Sequence, residues 1–158
     1  MFLGKQLVHN SGQSLIEVLV ALSLAVLAIS ALVSVTMTSV KNAQFSKNQI
    51  QAEKYAQEGM EWVRLQKEKN TWAVFSDTTV KTFCINSLPT DWITKNIGLC
   101  GASIITGTIF SRELDLSQTT GCPPSTPNPI NVKVTVKWKD SKDHQTVRET
   151  CFTNWEKK

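Results

Sequence analysis

Four groups of residues in this chain have the types and spacing to do chemistry. The first is Gly12-Gln13-Ser14-Leu15-Ile16-Glu17, a glycine followed at a fixed distance by a carboxylate. Glu17 is the only ionisable side chain from Leu15 to Val40. A carboxylate in so apolar a stretch is costly unless it is paired, interfacial or needed for function. The second group is Cys84, Cys100, Cys122 and Cys151. The third is Asp140, Asp143 and His144, three potential donors to a cation. The fourth is the alternating row Lys133, Lys137 and Lys139, beside Trp138 and near Trp155. Positive charge for phosphates and aromatic planes for bases are what contact with single-stranded nucleic acid requires.

Each group also has a plainer reading. Asp140, Asp143 and His144 fall in a turn, where such residues are ordinarily solvated, and no metal is expected. The lysines fit a solvated sheet face that guards an edge, with Trp138 on the opposite face; nucleic acid remains a candidate contact at Lys133, Lys137 and Lys139. Four cysteines allow two disulfides in any of three connectivities. No C-x-x-C spacing points to zinc. The pairs Cys84–Cys100 and Cys122–Cys151 are preferred because each pins a loop to the sheet. There is no glycine-rich phosphate loop, no G-x-S-x-G and no histidine placed as a general base. Neither catalysis nor a cofactor is expected. The net charge of +4 is too mild to indicate a polyanionic partner.

The elements that position these groups follow from hydropathy and period. The Leu15–Val40 run, at about 1.5 Å rise per residue, is long enough to cross a bilayer's hydrocarbon core. It exceeds the h-region of a removable secretory signal. No proline interrupts residues 13–88, so one helix of some 55 residues, to about residue 69, is predicted. Its second half becomes amphipathic, with Ala52, Tyr55, Ala56, Gly59, Met60 and Val63 on one face. Lys67-Glu68-Lys69-Asn70 forms the stop. Strands are predicted at Trp72–Phe75 and Val80–Ile85, with β character over Ser103–Phe110. Further strands are predicted from Phe110 to Leu116, from Val132 to Lys139 and from Gln145 to Trp155. The last two form a hairpin turning at Asp140–His144, with the valine face against the helix stripe. Residues 117–130 hold four of the five prolines and make an excursion from the sheet.

The stretch from Gly12 to about Ile29 closely resembles the processing site of type IV prepilins and pseudopilins. It combines a glycine, a glutamate at position five after it, and an unbroken apolar run. The Phe110–Leu114, Val132–Trp138 and Thr153–Trp155 segments are similar to minor pilins of the PilV-like kind. The resemblance implies that a prepilin peptidase removes residues 1–12, cutting between Gly12 and Gln13. It implies methylation of the new terminus, although Gln13 stands where the family most often has Phe. Removal of the leader takes away Lys5 and no acid, lowering the net charge by one. Glu17, with Leu15 and Ile16, then serves assembly.

The expected fold is α+β and pilin-like: one long N-terminal helix, its first half transmembrane, packed on a C-terminal antiparallel sheet. Residues 13–40 are the membrane and assembly half. Residues 41–158 form the exported head, with its helix at 41–69 and its β-rich part at 72–158. The expected location is single-pass in the cell membrane with a cytoplasmic N-terminus, then a pilus or pseudopilus. Expected partners are other pilin or pseudopilin subunits, the prepilin peptidase and an inner-membrane assembly platform. The function implied is that of a minor pilin. The alternatives are a type II secretion pseudopilin and an uncleaved, signal-anchored surface binding domain.

Overall fold

A computed structural model describes residues 11–77, 82–118, 122–123 and 129–154, with side chains from residue 15 onward. Helix α1 runs from Ser11 to Lys69 without a break. It contributes to two compact units, Met1–Ser46 and Lys47–Lys158. The leader residues 1–10 and Trp155 lie outside the described residues, as do 78–81 and most of the proline-rich excursion.

In the second unit the end of α1 lies against an antiparallel sheet, the α+β architecture expected. The sheet consists of β1 (Thr82–Cys84), β2 (Asn96–Ile97), β3 (Phe110–Ser117), β4 (Ile130–Lys139) and β5 (Asp143–Phe152). Their spatial order is β2-β1-β3-β4-β5. Val132, Val134 and Val136 point to the helix and are fully buried, in register with Leu116, Leu114 and Arg112 of β3. Ala52, Ala56, Met60 and Val63 meet them from α1. Alternation in the strand and offsets of three and four in the helix thus produce one shared apolar layer.

Gly59 sits where helix and sheet approach most closely. A Cβ built there would lie 3.0 Å from Arg112 Cδ and 3.0 Å from Val134 Cγ1. Alanine would gain about 1 kcal/mol of helix propensity, but both neighbours are held, one by hydrogen bonds and one by a full core. Gly59→Ala is expected to be near neutral or mildly destabilising. Gly59→Leu is expected to cost about 3 kcal/mol through overpacking, measurable by urea unfolding.

Some local expectations change. Trp72–Phe75 is not a strand but a single helical turn, α2. The turn is closed by hydrogen bonds from Phe75 N–H to Thr71 O (3.0 Å) and from Ser76 N–H to Trp72 O (2.8 Å). Helical spacing puts Trp72 and Phe75 on one side, their rings 5.8 Å apart, and stacks Phe75 on Trp92 at 4.8 Å. Ser103–Ile109 is a tight loop instead of a strand. Ile105 N–H donates to Phe110 O and Gly107 adopts φ +75°, which reverses the chain. The hairpin turn is shorter than expected, because Asp143 and His144 already pair with Lys139 and Trp138. Strand β5 ends at Phe152.

Candidate functional site: the apolar helix half and the outer sheet face

In the first unit, α1 is long and apolar enough to cross a membrane, and none of its most apolar stretch is buried within the chain. Its hydroxyls are satisfied locally. Ser23 donates to Leu19 O at 2.9 Å, Ser30 to Val26 O at 2.8 Å, Ser34 to Ser30 O at 3.0 Å, and Thr38 to Ser34 O at 3.0 Å. Thr36 donates to Val33 O at 2.8 Å. Side chains that bond back to their own helix present little polarity outward, as a hydrocarbon environment demands. Glu17 has no such local solution: a carboxylate only accepts, and the helix's free N–H groups lie in its first turn. Leu15, Ile16 and Glu17 are all exposed. Gly12 and Gln13 lie within α1, ahead of the residues whose side chains are described.

In the second unit, the outer sheet face carries a set of charges of both signs. Lys137 Nζ is 2.5 Å from Glu113 Oε2, a carboxylate with only 7% of its side chain exposed. Glu113 Oε1 also accepts from Cys100 N–H at 3.2 Å. Lys139 lies 3.4 Å from Asp143, and Lys133 stands in register between Asp115 and Glu149. Each lysine of the row therefore has an acidic neighbour across the sheet. Trp138 faces the other way, buried, in a ring contact with Phe110 at 5.9 Å. Lys137, Trp138 and Lys139 share the lining of one cleft at the hairpin end, which Lys133 does not join.

Asp140 organises the hairpin turn. Its carboxylate accepts from the amides of Ser141 and Lys142 and lies 3.1 Å from His144 Nε2. The Lys142 amide is the chief influence holding this carboxyl below its ordinary pKa, with Ser141 and His144 adding to it. Asp143 turns instead to Lys139, so the three residues do not converge on one point. Among the described residues no cluster of His, Cys, Asp or Glu is arranged to hold a metal ion.

Both disulfides are formed, Cys84–Cys100 and Cys122–Cys151. The first returns the chain after Gly98 (φ +98°) to β1, and so makes room for β2, which pairs Ile97 with Phe83. That edge strand was not foreseen. The closure of Cys84 on Cys100 was the signal that could have located it.

Two further residues were not singled out by sequence. Arg112 is buried on the helix-facing side of β3. It donates Nε–H to Ile85 O (3.0 Å) and Nη1–H to Tyr55 O (3.0 Å) and Glu58 Oε2 (2.8 Å). Burial lowers its pKa, against the pull of Glu58. Lys95 lies 3.5 Å from the Trp92 ring centre and 4.6 Å from that of Phe83. Loss of water brings its pKa down to about 8, although Asp77 acts in the opposite direction. Because the folded value lies below the unfolded one, the unfolded chain binds more protons between about pH 8 and the ordinary lysine range. Lys95 therefore costs stability below pH 8, and the cost is relieved as the pH rises above it. Unfolding midpoints from pH 7 to 10.5 should rise more for the wild type than for Lys95→Met.

Comparison of the chain with protein-family models, with curated proteins and with solved structures finds no match.

Proposed function

We propose that this chain is a minor pilin-like subunit, structural or priming, of a type IV pilus. It is inserted through its apolar helix with the N-terminus cytoplasmic, processed between Gly12 and Gln13, and assembled into a fibre through that helix. The observation that carries this reading is the fixed spacing of Gly12 and Glu17 ahead of an uninterrupted apolar helix. Supporting it are the local satisfaction of the hydroxyls along that helix and the antiparallel head clasped by two disulfides. Disulfides persist in an exported compartment and not in a reducing cytosol.

The chemistry is then done to the chain and not by it. Hydrolysis of the Gly12–Gln13 peptide bond leaves a carboxylate on the leader and an α-amine on Gln13, four residues before Glu17. In pilin assemblies, the resemblance implies, this glutamate pairs with the terminal amine of a neighbouring subunit. A secretion pseudopilus would use the same processing and the same helix.

The test is the intact mass of the membrane-extracted chain from cells with and without a prepilin peptidase. The expected result is loss of residues 1–12 only when the peptidase is present, and an added methyl would extend the reading to Gln13. A full-length mass in both strains would overturn it in favour of a signal-anchored surface domain.

A further inference from the structure

Lys95 follows the 3-10 turn Trp92–Thr94 and is half-buried in the lining of a cleft of about 480 Å³. The walls include Val74 of α2, Phe83 of β1, Trp92 and Ile93, and Asp77 also lines the cleft. Two of these walls are rigid. Trp92 is buried and stacked on Phe75, and Phe83 is held in register between Ile97 and Leu114. Val74 and Ile93 are 39% and 80% exposed, so part of the lining faces solvent.

The Lys95 amine donates to Trp92 O at 2.5 Å and lies over the Trp92 and Phe83 rings. This setting fixes the amine and removes much of its water, the condition under which a lysine becomes a nucleophile near neutral pH. Loss of that water also lowers its pKa. Classes of ligand differ in what they meet here. A cation finds the ring faces occupied by Lys95. An anion is drawn by the ammonium and repelled by Asp77. A neutral carbonyl compound meets neither obstacle, and its reaction with the amine leaves a cation in place.

We propose that this cleft takes apolar aldehydes and holds them as imines on Lys95. The neutral amine attacks the carbonyl carbon, so that the C–N bond forms as the C=O π pair moves to oxygen. Counted from the ammonium, the oxygen leaves as water with two of the nitrogen's three hydrogens. The nitrogen keeps the third, together with its positive charge, in the iminium. No oxidant or reductant is needed. The iminium stays over the aromatic faces and near Asp77, so it keeps the attractions the ammonium had. An acyl donor would leave a neutral amide and forfeit them. The aldehyde's chain meets Val74 and Ile93, where a longer chain buries more apolar surface than a compact one. This binding is independent of the subunit reading above.

The experiment treats the full chain in detergent micelles with butanal or formaldehyde and cyanoborohydride, which reduces each imine to a stable amine. Peptide masses give the initial rate at each lysine. Exposed Lys133 and Lys139 in the same sample are the reference, which cancels partitioning of the aldehyde into micelles. With butanal at about pH 7.5, Lys95 is expected to react about tenfold faster than either, and with formaldehyde by a clearly smaller factor. The lead should narrow as the pH rises to about 10, where the exposed amines also lose their protons. Val74→Ala combined with Ile93→Ala should cut the butanal lead about threefold and leave the formaldehyde lead unchanged. Lys95 reacting with butanal no faster than Lys133 and Lys139 would overturn the proposal. An equal lead for both aldehydes would overturn it too, since the amine would then react without using the cleft.

Discussion

Arg112→Ala is expected to destabilise the Lys47–Lys158 unit by about 3 kcal/mol, enough to consume much of a small domain's margin. The guanidinium is almost wholly buried, with 3% of its side chain exposed, and it ties three elements together. Through Nε it holds the Ile85 carbonyl at the end of β1, and through Nη1 it reaches Tyr55 O and Glu58 on α1. Truncation leaves the Ile85 carbonyl without this donor and opens a cavity beside Gly59, whose missing side chain the arginine stem fills. Glu58 limits the damage, because 56% of its side chain is exposed and water can replace the arginine. The loss therefore falls short of that for an ion pair buried at both ends. Arg112→Met keeps the stem's volume and discards the charge, and should recover at least half of the loss. Urea unfolding of both variants decides the matter. If Arg112→Ala lost less than about 1 kcal/mol, or Arg112→Met were as damaging, the arginine would not be the tie between helix and sheet.

The same arginine shows where sequence reasoning reaches its limit. Its place in the alternation of β3 was legible, since Phe110, Arg112, Leu114 and Leu116 alternate with Ser111, Glu113 and Asp115, but which face met the helix was not. Its partners were not, because two of them are backbone carbonyls and carry no residue identity. The long helix, the stripe from Ala52 to Val63 and the β4–β5 hairpin were legible because each buries one face and so imposes a period. Gly59 was legible as a close approach, since a glycine inside an amphipathic helix needs a reason. Around Trp72–Phe75 and from Trp92 to Ile109 no such period exists. Those segments are shaped by the Phe75–Trp92 stack, the Cys84–Cys100 bridge and the positive φ of Gly98 and Gly107. Such contacts are long-range or conformational, and a window of neighbouring residues does not contain them. The lysine row was legible as a row, whereas its acidic neighbours became visible only with the strand register.

Glu17→Ala is expected to leave cleavage after Gly12 intact and to remove the chain from assembled fibres, by at least about tenfold relative to wild type. The physical case begins with what the helix has already satisfied. Ser23, Ser30, Ser34, Thr36 and Thr38 spend their hydroxyls on carbonyls of the same helix. Glu17 is the one ionisable group in the Leu15–Val40 stretch, and no side chain of that stretch carries a counter-charge for it. On the reading proposed above, processing would supply a counter-charge, the new α-amine, on every copy. When helices pack in a low-dielectric bundle, a subunit at the wrong axial offset leaves both charges buried and unmatched, at a cost of several kcal/mol. On the reading proposed above, glutamate at this position would select the register more than it adds stability. Glu17→Gln should fail almost as completely as alanine, since an amide keeps the volume but offers no counter-charge. Glu17→Asp, one methylene shorter, should retain part of the wild-type incorporation. Fractionation of membranes and sheared fibres, with intact mass to confirm processing, reads each step separately. Normal incorporation of the processed Glu17→Ala chain would show that register is set elsewhere along the helix.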